Sequence, residues 1–439
     1  MKGNLKITHE IRDPIHTFIK LNSDERKVLD SHPFQRLRHI HQLAMTYLVY
    51  PAATHKRFEH SLGVMELAGK VFDVVTNPEV IHFKVKDLIP EINNPDKLRY
   101  WRCVLRMAAL CHDLGHLPFS HAAEKELLPA GWNHEALTIE IIKKLKYIWQ
   151  EMTPPLRELD IMKVAVGPSK LPKEEFSDWE TILSEIITGD AFGVDRMDYL
   201  LRDAYHAGVA YGKFDHYRLI DTLRILPKEY EESEEPTLGV EEGGLHSSEA
   251  LLLARYFMFS QVYYHEVRRI YDTHLKEFLI VWLEGGRFST DFLEHQNMTD
   301  NEVLAALLKA VRDKKSPGHK LAKRIINREH FKVIYNRRQN DLEVNLEPGK
   351  AVYEALGKKF GNDQIRHDQY SQRGASLEFP VLCKDGNIFS SLFLSEVLNS
   401  IPLISIDNVY IDPIYKDEGI KWVEKNKQII LEGGDDFLE

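Results

Sequence analysis

Apolar residues recur at helical spacing through the first two-thirds of the chain. One stripe extends from His60 to Val75 and predicts a helix with one buried face. Trp101–Leu114 is apolar at almost every position and predicts a buried helix, which Gly115 and Pro118 end. Ser23 is expected to cap the first helix. The other predicted helices are Asp24–Leu29, Phe34–Leu43, His134–Ile148, Trp179–Thr188, Asp195–Ala207 and Ser247–Leu283.

The pattern changes after about residue 285, where short runs of β-branched and aromatic residues predict strands. These runs are Phe331–Tyr335, Phe379–Cys383, Asn387–Ser391 and Val409–Ile414, with a hairpin turn at Lys384-Asp385-Gly386. Residues 226–242 contain seven Glu and one Lys and are interpreted as a solvated loop or hairpin. We therefore predict a mainly α protein, with a helical core over residues 1–284 and a smaller α+β region over residues 285–439.

Composition narrows the class of protein. The chain has 439 residues, of which 43% are hydrophobic and 28% charged, as expected for a globular protein. Its formal net charge of −10 does not favour a nucleic-acid-coating protein, although a local basic groove stays possible. Three cysteines make no disulfide framework, which favours a reducing compartment. Without an apolar leader or a run of ~18 apolar residues, a cytoplasmic protein with no membrane span is expected.

The pair His112-Asp113 stands at the end of the apolar helix and is the strongest chemical signal. A buried carboxylate without a partner is costly, and a divalent metal would satisfy it. Adjacent helical residues lie ~100° apart, so both side chains can reach one cation. His60 and Asp195, each at the start of a predicted helix, are candidate further ligands. Such nitrogen and oxygen donors suit Mn, Fe, Ni, Co or Zn.

Six motifs in this order resemble the HD-domain metal-dependent phosphohydrolases, and among them the deoxynucleoside triphosphate triphosphohydrolase branch. The motifs are Arg36-Leu37-Arg38, Gln42-Leu43, Arg57–Gly63, Cys111–His121, Trp132–Glu135 and Val194–Tyr199. The resemblance implies an HD-domain helical core and hydrolysis of deoxynucleoside triphosphates to deoxynucleoside and triphosphate. It implies four metal ligands, which are His60, His112, Asp113 and Asp195. It also implies a Mg²⁺ ion that travels with the triphosphate.

The same resemblance implies roles for residues around the metal. His116 and His134 would contact the reacting phosphate, and His121 would protonate the leaving 5′-oxygen. Glu124 stands where a member of the branch has Asp, and Phe259 where it has His, so the acid and the base preference stay open. The implied substrate contacts are Arg57, Arg196 and Arg255 for phosphate, Gln42, Tyr199 and Asp203 for the 3′-hydroxyl, and Leu43 and Tyr263 for the deoxyribose.

A second set of residues resembles a regulatory nucleotide site. Asp30, Gln35 and Arg38 resemble a guanine-reading group. Arg328 and Lys332 resemble a basic patch that another subunit brings to the same nucleotide. The resemblance therefore implies a homodimer or homotetramer in which a guanine nucleotide is an effector.

Two alternatives stay open at this level. One is an HD-domain phosphohydrolase of another nucleotide, such as a monophosphate, a cyclic nucleotide or a guanosine polyphosphate. The other is a nucleotide-binding or nucleic-acid-binding protein with a vestigial site. The metal ligands alone do not separate these functions. The physiological metal, the preferred base and the oligomer size are not predicted.

Overall fold

The computed structural model describes residues 9–120, 124–228, 235–371 and 378–434. Helices dominate this part of the chain and confirm the mainly α prediction. The helices are α1 (Ser23–Leu29), α2 (His32–Arg36), α3 (Arg57–Val75), α4 (Phe83–Leu88), α5 (Pro95–Cys111), α6 (Glu124–Leu127), α7 (His134–Lys144), α8 (Lys146–Glu151), α9 (Glu158–Val166), α10 (Asp178–Thr188), α11 (Val194–Ala207), α12 (His216–Thr222), α13 (Leu245–Met258), α14 (Glu266–Trp282), α15 (Phe292–Asn297), α16 (Asp300–Arg312), α17 (His319–Ile326), α18 (Asp341–Val344), α19 (Pro348–Phe360), α20 (Ser391–Leu394), α21 (Glu396–Ser400) and α22 (Lys416–Leu431). The strands are β1 (His9–Asp13), β2 (Thr17–Leu21), β3 (Leu223–Pro227), β4 (Pro236–Glu241), β5 (Lys332–Asn336), β6 (Ile365–Ser371), β7 (Pro380–Leu382), β8 (Ile388–Ser390) and β9 (Ser405–Ile411).

The start of α1 corrects one prediction. Asn22, and not Ser23, is the N-cap, because its side-chain oxygen accepts from the backbone amides of Asp24 and Glu25 at 2.9 Å each. The Glu25 carboxylate in turn accepts from the Asn22 amide at 2.9 Å, which completes a capping box. The side chains of Asn22 and Glu25 therefore satisfy the backbone amides at the start of α1.

Two long helices expected from the sequence are interrupted. The helix expected over Phe34–Leu43 is only the short α2 followed by a 3-10 turn. Pro33 lies in the first turn of α2, where its missing amide hydrogen costs nothing. The stretch expected as one helix over Ser247–Leu283 is α13 and α14, separated by the π-helical turn Phe259–Tyr263.

The chain divides into two compact units, each made of segments that are distant in sequence. The first unit comprises Met1–Met258, Ser289–Asn301 and Ala375–Ile401. The second unit comprises Phe259–Phe288, Glu302–Gly374 and Pro402–Glu439. The two units do not divide at a single point between residues 284 and 285. Strand β7 pairs with β4, so residues 375–401 belong to the first unit although they follow residue 284. That boundary, as a division into domains, stays a prediction.

In the first unit, α3 packs against α5 and α11, and α5 packs against α9. The four-stranded sheet β3-β4-β7-β8 pairs in parallel between β4 and β7 and antiparallel elsewhere. The hairpin expected within residues 226–242 is present as β3 and β4, although residues 229–234 lie outside the described part. Within that range, Leu226 and Pro227 at the end of β3 and most of β4 are buried, so the expectation of a solvated segment is wrong for these strand residues.

In the second unit, β5, β9 and β6 form an antiparallel sheet in that order. Helices α19 and α22 pack against it. The core between them includes Val352, Leu356, Ile365, Val409 and Ile411. Three of the predicted strands are present as β5, β7 and β8, whereas the strand predicted over Val409–Ile414 begins earlier and ends at Ile411, because Pro413 starts a 3-10 turn. The predicted hairpin turn joins β7 and β8 of the first unit, with Gly386 at a φ of +88°. Across the residues that the structure describes, none of the helices has the length and apolar character needed to cross a membrane.

Candidate functional site

Three helix termini bring His60, His112 and Asp195 together in the first unit. His60 lies in the first turn of α3, His112 ends α5, and Asp195 lies in the first turn of α11. The Nε2 atom of His60 is 2.9 Å from Oδ1 of Asp195, and Nε2 of His112 is 3.5 Å from the same oxygen. The donor atoms of these residues lie within 4.8 Å of one another. The three side chains can therefore surround one cation.

The His112 imidazole shows that these residues fit a metal. Its Nδ1 donates to the carbonyl of Ala109 at 2.7 Å, so Nε2 is the nitrogen that a metal can bind in place of a proton. Nε2 is buried and has no hydrogen bond of good geometry among the described residues, and its nearest acceptors are the carboxylate oxygens of Asp113 at 3.3 Å and Asp195 at 3.5 Å. A buried polar atom in that condition costs about 1–3 kcal/mol. A divalent cation beside Asp195 would remove this cost, and two imidazoles with a carboxylate suit a transition metal or zinc.

Asp113, the fourth expected ligand, lies beside the cluster but is held by other groups. Its Oδ2 accepts from the Arg57 guanidinium at 2.6 Å, and its Oδ1 is 3.0 Å from Nε2 of His116. Its oxygens are 3.3 Å from Nε2 of His112 and 3.7 Å from Nε2 of His60. Burial alone would raise the pKa of Asp113, but His112 and Arg57 hold it well below its usual range.

Burial and the charged neighbours shift the pKa values of His60 and Asp195 in opposite directions, and the neighbours have the larger effect. Burial would lower the pKa of His60, but hydrogen bonds to Asp195 and Asp198 outweigh it and raise this pKa to about 10. Burial would likewise raise the pKa of Asp195, and the imidazoles of His112 and His60 instead lower it. Without a metal, a proton on Nε2 of His60 therefore lies between the imidazole and Asp195. A metal that binds these two groups displaces that proton.

A second group, formed by His116, Glu124 and His134, adjoins the first. The two imidazole rings stack with centroids 4.1 Å apart and planes 13° apart. Glu124 accepts from the backbone amide of His134 at 2.6 Å and lies 2.9 Å from its Nδ1. Glu124 thus fixes the orientation of the His134 ring. Burial, together with Arg57, holds the pKa of His116 well below its usual value. His121 lies outside the described residues.

Comparison with known proteins decides the family. Residues 57–202, which contain every residue of the cluster above, match the HD domain, and residues 214–355 match the HD associated region. The chain belongs to the HD-domain family. A crystal structure of a hypothetical protein from Aquifex aeolicus has 32% sequence identity and a TM-score of 0.75. That match covers 94% of this chain and 99% of the other.

Two curated relatives extend the comparison. An uncharacterised protein of Methanocaldococcus jannaschii is 35% identical over 297 residues, which cover 68% of this chain and 54% of the relative. The deoxynucleoside triphosphate triphosphohydrolase SAMHD1 of Homo sapiens is 30% identical over 362 residues, or 74% of this chain and 54% of that enzyme. The chain thus spans about half the length of the curated relatives it matches.

The three arginines expected to bind phosphate lie on separate helices, two in the HD domain and Arg255 in the HD associated region. Arg196 of α11 donates to the carbonyls of Gly189 and Asp190, and Arg255 of α13 donates to the Asp190 carbonyl at 3.4 Å. Tyr199 lies one turn after Arg196, and its pKa is raised by burial although Arg196 opposes the shift. Arg196, Tyr199 and Arg255 are therefore brought together close to Asp195. Arg57 is buried against Asp113.

The residues expected to bind the sugar are linked through His55. The backbone amide of Gln42 donates to the backbone carbonyl of His55 at 3.0 Å, and Nε2 of His55 donates to Oδ1 of Asp203 at 2.7 Å. The side-chain oxygen of Gln42 is buried and accepts no hydrogen bond from the described residues. Leu43 is buried beside it in sequence. Tyr263 belongs to the second unit, at the end of the π-helical turn.

The expected regulatory residues divide between the units. In the first unit, Arg38 donates to Oε1 of Gln35 at 2.8 Å and lies 3.5 Å over the Phe58 ring. Gln35 also donates to the Leu29 carbonyl at 2.7 Å. Asp30 forms an ion pair with Arg26 on the helix surface. Arg328 and Lys332 belong to the second unit.

The sequence did not identify Asp198, which binds the second imidazole nitrogen of His60. Oδ2 of Asp198 accepts from Nδ1 of His60 at 2.8 Å. Asp198 stands three residues after Asp195, hence on the same side of α11, within a motif that the resemblance already included. That spacing was a signal for its role, whereas its other partner, His16, is 182 residues away and no local pattern connects the two.

Proposed function

We propose that this chain hydrolyses deoxynucleoside triphosphates to deoxynucleoside and triphosphate. The buried Nε2 of His112, which lacks a hydrogen bond beside Asp195 and His60, carries the proposal, because it marks a site that a cation completes. The HD domain and the similarity to SAMHD1 support the reaction class and the substrate. The metal ligands in this proposal are His60, His112, Asp113 and Asp195. When bound, a divalent metal supplies Lewis-acid activation of water and of a phosphoryl oxygen.

The protein groups around the cluster would bind and orient the triphosphate. Arg196 and Arg255 place two guanidinium groups at the Asp190 carbonyl, and a polyanion with its Mg²⁺ would meet them there. Arg57 holds Asp113 and adds a third positive charge close to the metal site. Glu124 fixes the orientation of His134, which then presents its ring toward the reacting phosphate. His121 is the proposed acid for the leaving oxygen.

The environment of Gln42 favours a deoxynucleoside. Its unsatisfied side-chain oxygen is an acceptor for a sugar 3′-hydroxyl. Leu43 would stand against C2′ and leave a ribose 2′-hydroxyl without a partner, which disfavours ribonucleotides. Tyr199 and Asp203 complete the proposed sugar contacts in the first unit, and for Tyr263, in the second unit, the sugar contact rests on the resemblance alone.

The proposal includes regulation by a guanine nucleotide and assembly as a homodimer or homotetramer in the cytoplasm. Gln35 and Arg38 are already hydrogen-bonded to each other beside Asp30, which reduces the cost of ordering them around a base. Burial and the charges of Lys416 and Arg328 lower the pKa of Lys332, so three cations lie close together in the second unit. Lys332 and Lys416 line a cleft of about 220 Å³. Such a cluster suits the phosphates of a nucleotide shared between subunits.

One assay tests the reaction and its regulation. Metal-loaded protein is incubated with each deoxynucleoside triphosphate, with and without GTP, and the products are identified. Intact triphosphate is the expected product, and ribonucleotides are expected to be poorer substrates. Orthophosphate as the first product would contradict the proposed cleavage position. Hydrolysis confined to monophosphates, cyclic nucleotides or guanosine polyphosphates would show the alternative phosphohydrolase instead.

Two variants examine the regulatory site with the same assay. Arg38→Ala and Asp30→Ala are expected to abolish stimulation by GTP while metal content stays at the wild-type value. The Arg26→Ala variant is the control, because it removes only the surface partner of Asp30. Wild-type protein whose rate and sedimentation do not respond to GTP or dGTP would contradict the regulatory part of the proposal and leave the hydrolytic part intact.

A further inference from the structure

The turn of the N-terminal hairpin lies against the helix that supplies Asp195. His16, in the turn between β1 and β2, places its Nε2 2.6 Å from Oδ1 of Asp198. The other oxygen of Asp198 accepts from Nδ1 of His60 at 2.8 Å. A chain of two hydrogen bonds therefore extends from the hairpin turn to an imidazole of the metal cluster.

Arg202 and Asp13 fix the carboxylate at the centre of this chain. Arg202 donates to the two oxygens of Asp198 at 2.8 and 2.9 Å and to Oδ2 of Asp13 at 2.8 Å. Oδ1 of Asp13 accepts from the backbone amides of Ile15 and His16 at 2.9 and 2.8 Å. Asp13, His16, Asp198 and Arg202 are each at most 5% exposed. Their geometry is set inside the protein and not by solvent.

The backbone of α3 also closes around Asp198. A Cβ atom at Gly63 would lie 1.9 Å from Oδ1 of Asp198 and 2.6 Å from the Arg202 guanidinium. Gly63 stands one turn after His60, so α3 approaches the carboxylate closely at the residue that follows the ligand on the same face. Only a residue without a side chain leaves room for Asp198 there.

A purely structural role is a weak explanation for this network. Buried ion pairs often contribute little net stability, because the cost of removing the charges from water offsets their attraction. A carboxylate on the second nitrogen of a metal-facing imidazole has a distinct chemical effect. It fixes the tautomer, so that the other nitrogen carries the lone pair, and it increases the basicity of that nitrogen.

We propose that Asp198 is a positioning residue of the metal centre, and that His16, Asp13 and Arg202 hold it in place. The hairpin β1–β2 is then the outer part of the metal site. Asp198 keeps the proton of His60 on Nδ1, and Nε2 faces Asp195 and His112. This inference rests on the metal centre of the proposed function.

Metal affinity, measured by competition with a chelator, tests the inference. We expect Asp198→Asn to weaken binding by roughly 10–100-fold and His16→Gln to weaken it less, because outer partners of metal-binding histidines have effects of that size. The matched control is Asp160→Asn, a buried carboxylate of α9 in the same unit that accepts from the Tyr100 hydroxyl at 2.6 Å. The control is expected to keep the wild-type affinity.

The visible spectrum of the Co²⁺-loaded protein gives a second measurement that a change in stability alone would not move. Asp198→Asn is expected to shift the Co²⁺ absorption bands, whereas Asp160→Asn is expected to leave them unchanged. If Asp198→Asn does not fold, the His16→Gln affinity and spectrum decide, because that change leaves Arg202 paired with both aspartates.

The outcomes separate this inference from the proposed function. Wild-type protein that binds no divalent metal would overturn both. Wild-type protein that binds metal, with unchanged affinity and Co²⁺ spectra in Asp198→Asn and His16→Gln, would overturn the inference alone. Equal weakening in Asp160→Asn and Asp198→Asn would also overturn it, since the effect would then be general to buried carboxylates of this unit.

Discussion

Each compact unit pairs a carboxylate with histidine and arginine side chains, yet the two clusters are completed in different ways. In the second unit, Glu277 of α14 lies 3.2 Å from Nδ1 of His274 and 3.1 Å from the Arg324 guanidinium. Arg366 donates to its other oxygen. The second nitrogen of His274 accepts from the Phe331 amide at 3.1 Å. Both nitrogens of this histidine therefore have partners in the protein.

In the cluster of the first unit, one nitrogen of His112 has no such hydrogen-bond partner among the described residues. Nδ1 of His112 bonds a backbone carbonyl, but its Nε2 is left without a hydrogen bond among the described residues, with carboxylate oxygens 3.3 and 3.5 Å away. Both clusters pair carboxylates with arginine and histidine side chains, so the presence of charge does not distinguish them. The clusters differ at Nε2 of His112, where a ligand would gain the full free energy of pairing a buried polar atom.

The largest expected effect comes from removing an anionic ligand in the first unit. Asp195→Ala is expected to lose the bound transition metal and reduce hydrolysis to background, since the two remaining imidazoles and the Asp113 carboxylate, which Arg57 already holds, cannot replace it. Elemental analysis and product formation measure the two losses. The corresponding change in the other cluster, Glu277→Ala, is expected to destabilise the second unit and leave metal content unchanged. Full metal occupancy in Asp195→Ala would contradict the ligand assignment.

Metal loading is expected to stabilise the two units unequally. A ligand present at 1,000 times its dissociation constant stabilises the state it binds by about 4 kcal/mol. Hydrogen exchange should therefore slow in α3 and at the end of α5 and stay unchanged in α14. The Asp195→Ala protein is the control and should show no slowing. Equal protection of α3 and α14 would mean that the metal does not act through the cluster of the first unit.

The sequence predicted the part of the metal site that depends on residue type and order. His60, His112 and Asp195 were identified because nitrogen and oxygen donors stood at predicted helix ends, and the structure brings them together. Asp198 and His16 were not identified, because the bond that unites them depends on where a hairpin folds back. The return of β7 and β8 to the first unit was missed for the same reason. Pairing between distant segments leaves no local pattern in the chain.

Removing one phosphate-binding arginine is expected to have a smaller effect than removing a metal ligand. A hydrogen bond to a charged group contributes about 1.5–3 kcal/mol, so Arg255→Ala should lower kcat/KM roughly 10–100-fold. Metal content should not change, because Arg255 is not a proposed ligand and donates to the Asp190 carbonyl. Arg366→Ala, in the other cluster, should keep the wild-type kcat/KM and lower thermal stability. Equal kinetic losses in the two variants would remove the distinction between a binding cluster and a structural one.

The smallest expected effect concerns the pH dependence of the second unit. Burial would raise the pKa of Glu277, but the bond from His274 and the charge of Arg366 lower it from 4.5 to about 2. A carboxylate whose pKa is lower in the folded state contributes its stability above the unfolded pKa. That contribution is lost as the pH falls from about 4.5 toward about 2, and the shift bounds it at about 3 kcal/mol.

Glu277→Gln should therefore lower the unfolding temperature of the second unit more at pH 7 than at pH 3. Glutamine still offers an amide oxygen to the two guanidinium groups, so we expect about half of the bound, or roughly 1.5 kcal/mol, at pH 7. Calorimetry at the two pH values measures the difference, with Glu354→Gln, an exposed site on α19, as the control. A loss of equal size at both pH values would show that the charge of Glu277 does not stabilise this cluster, and the contrast with the first unit would then rest on packing alone.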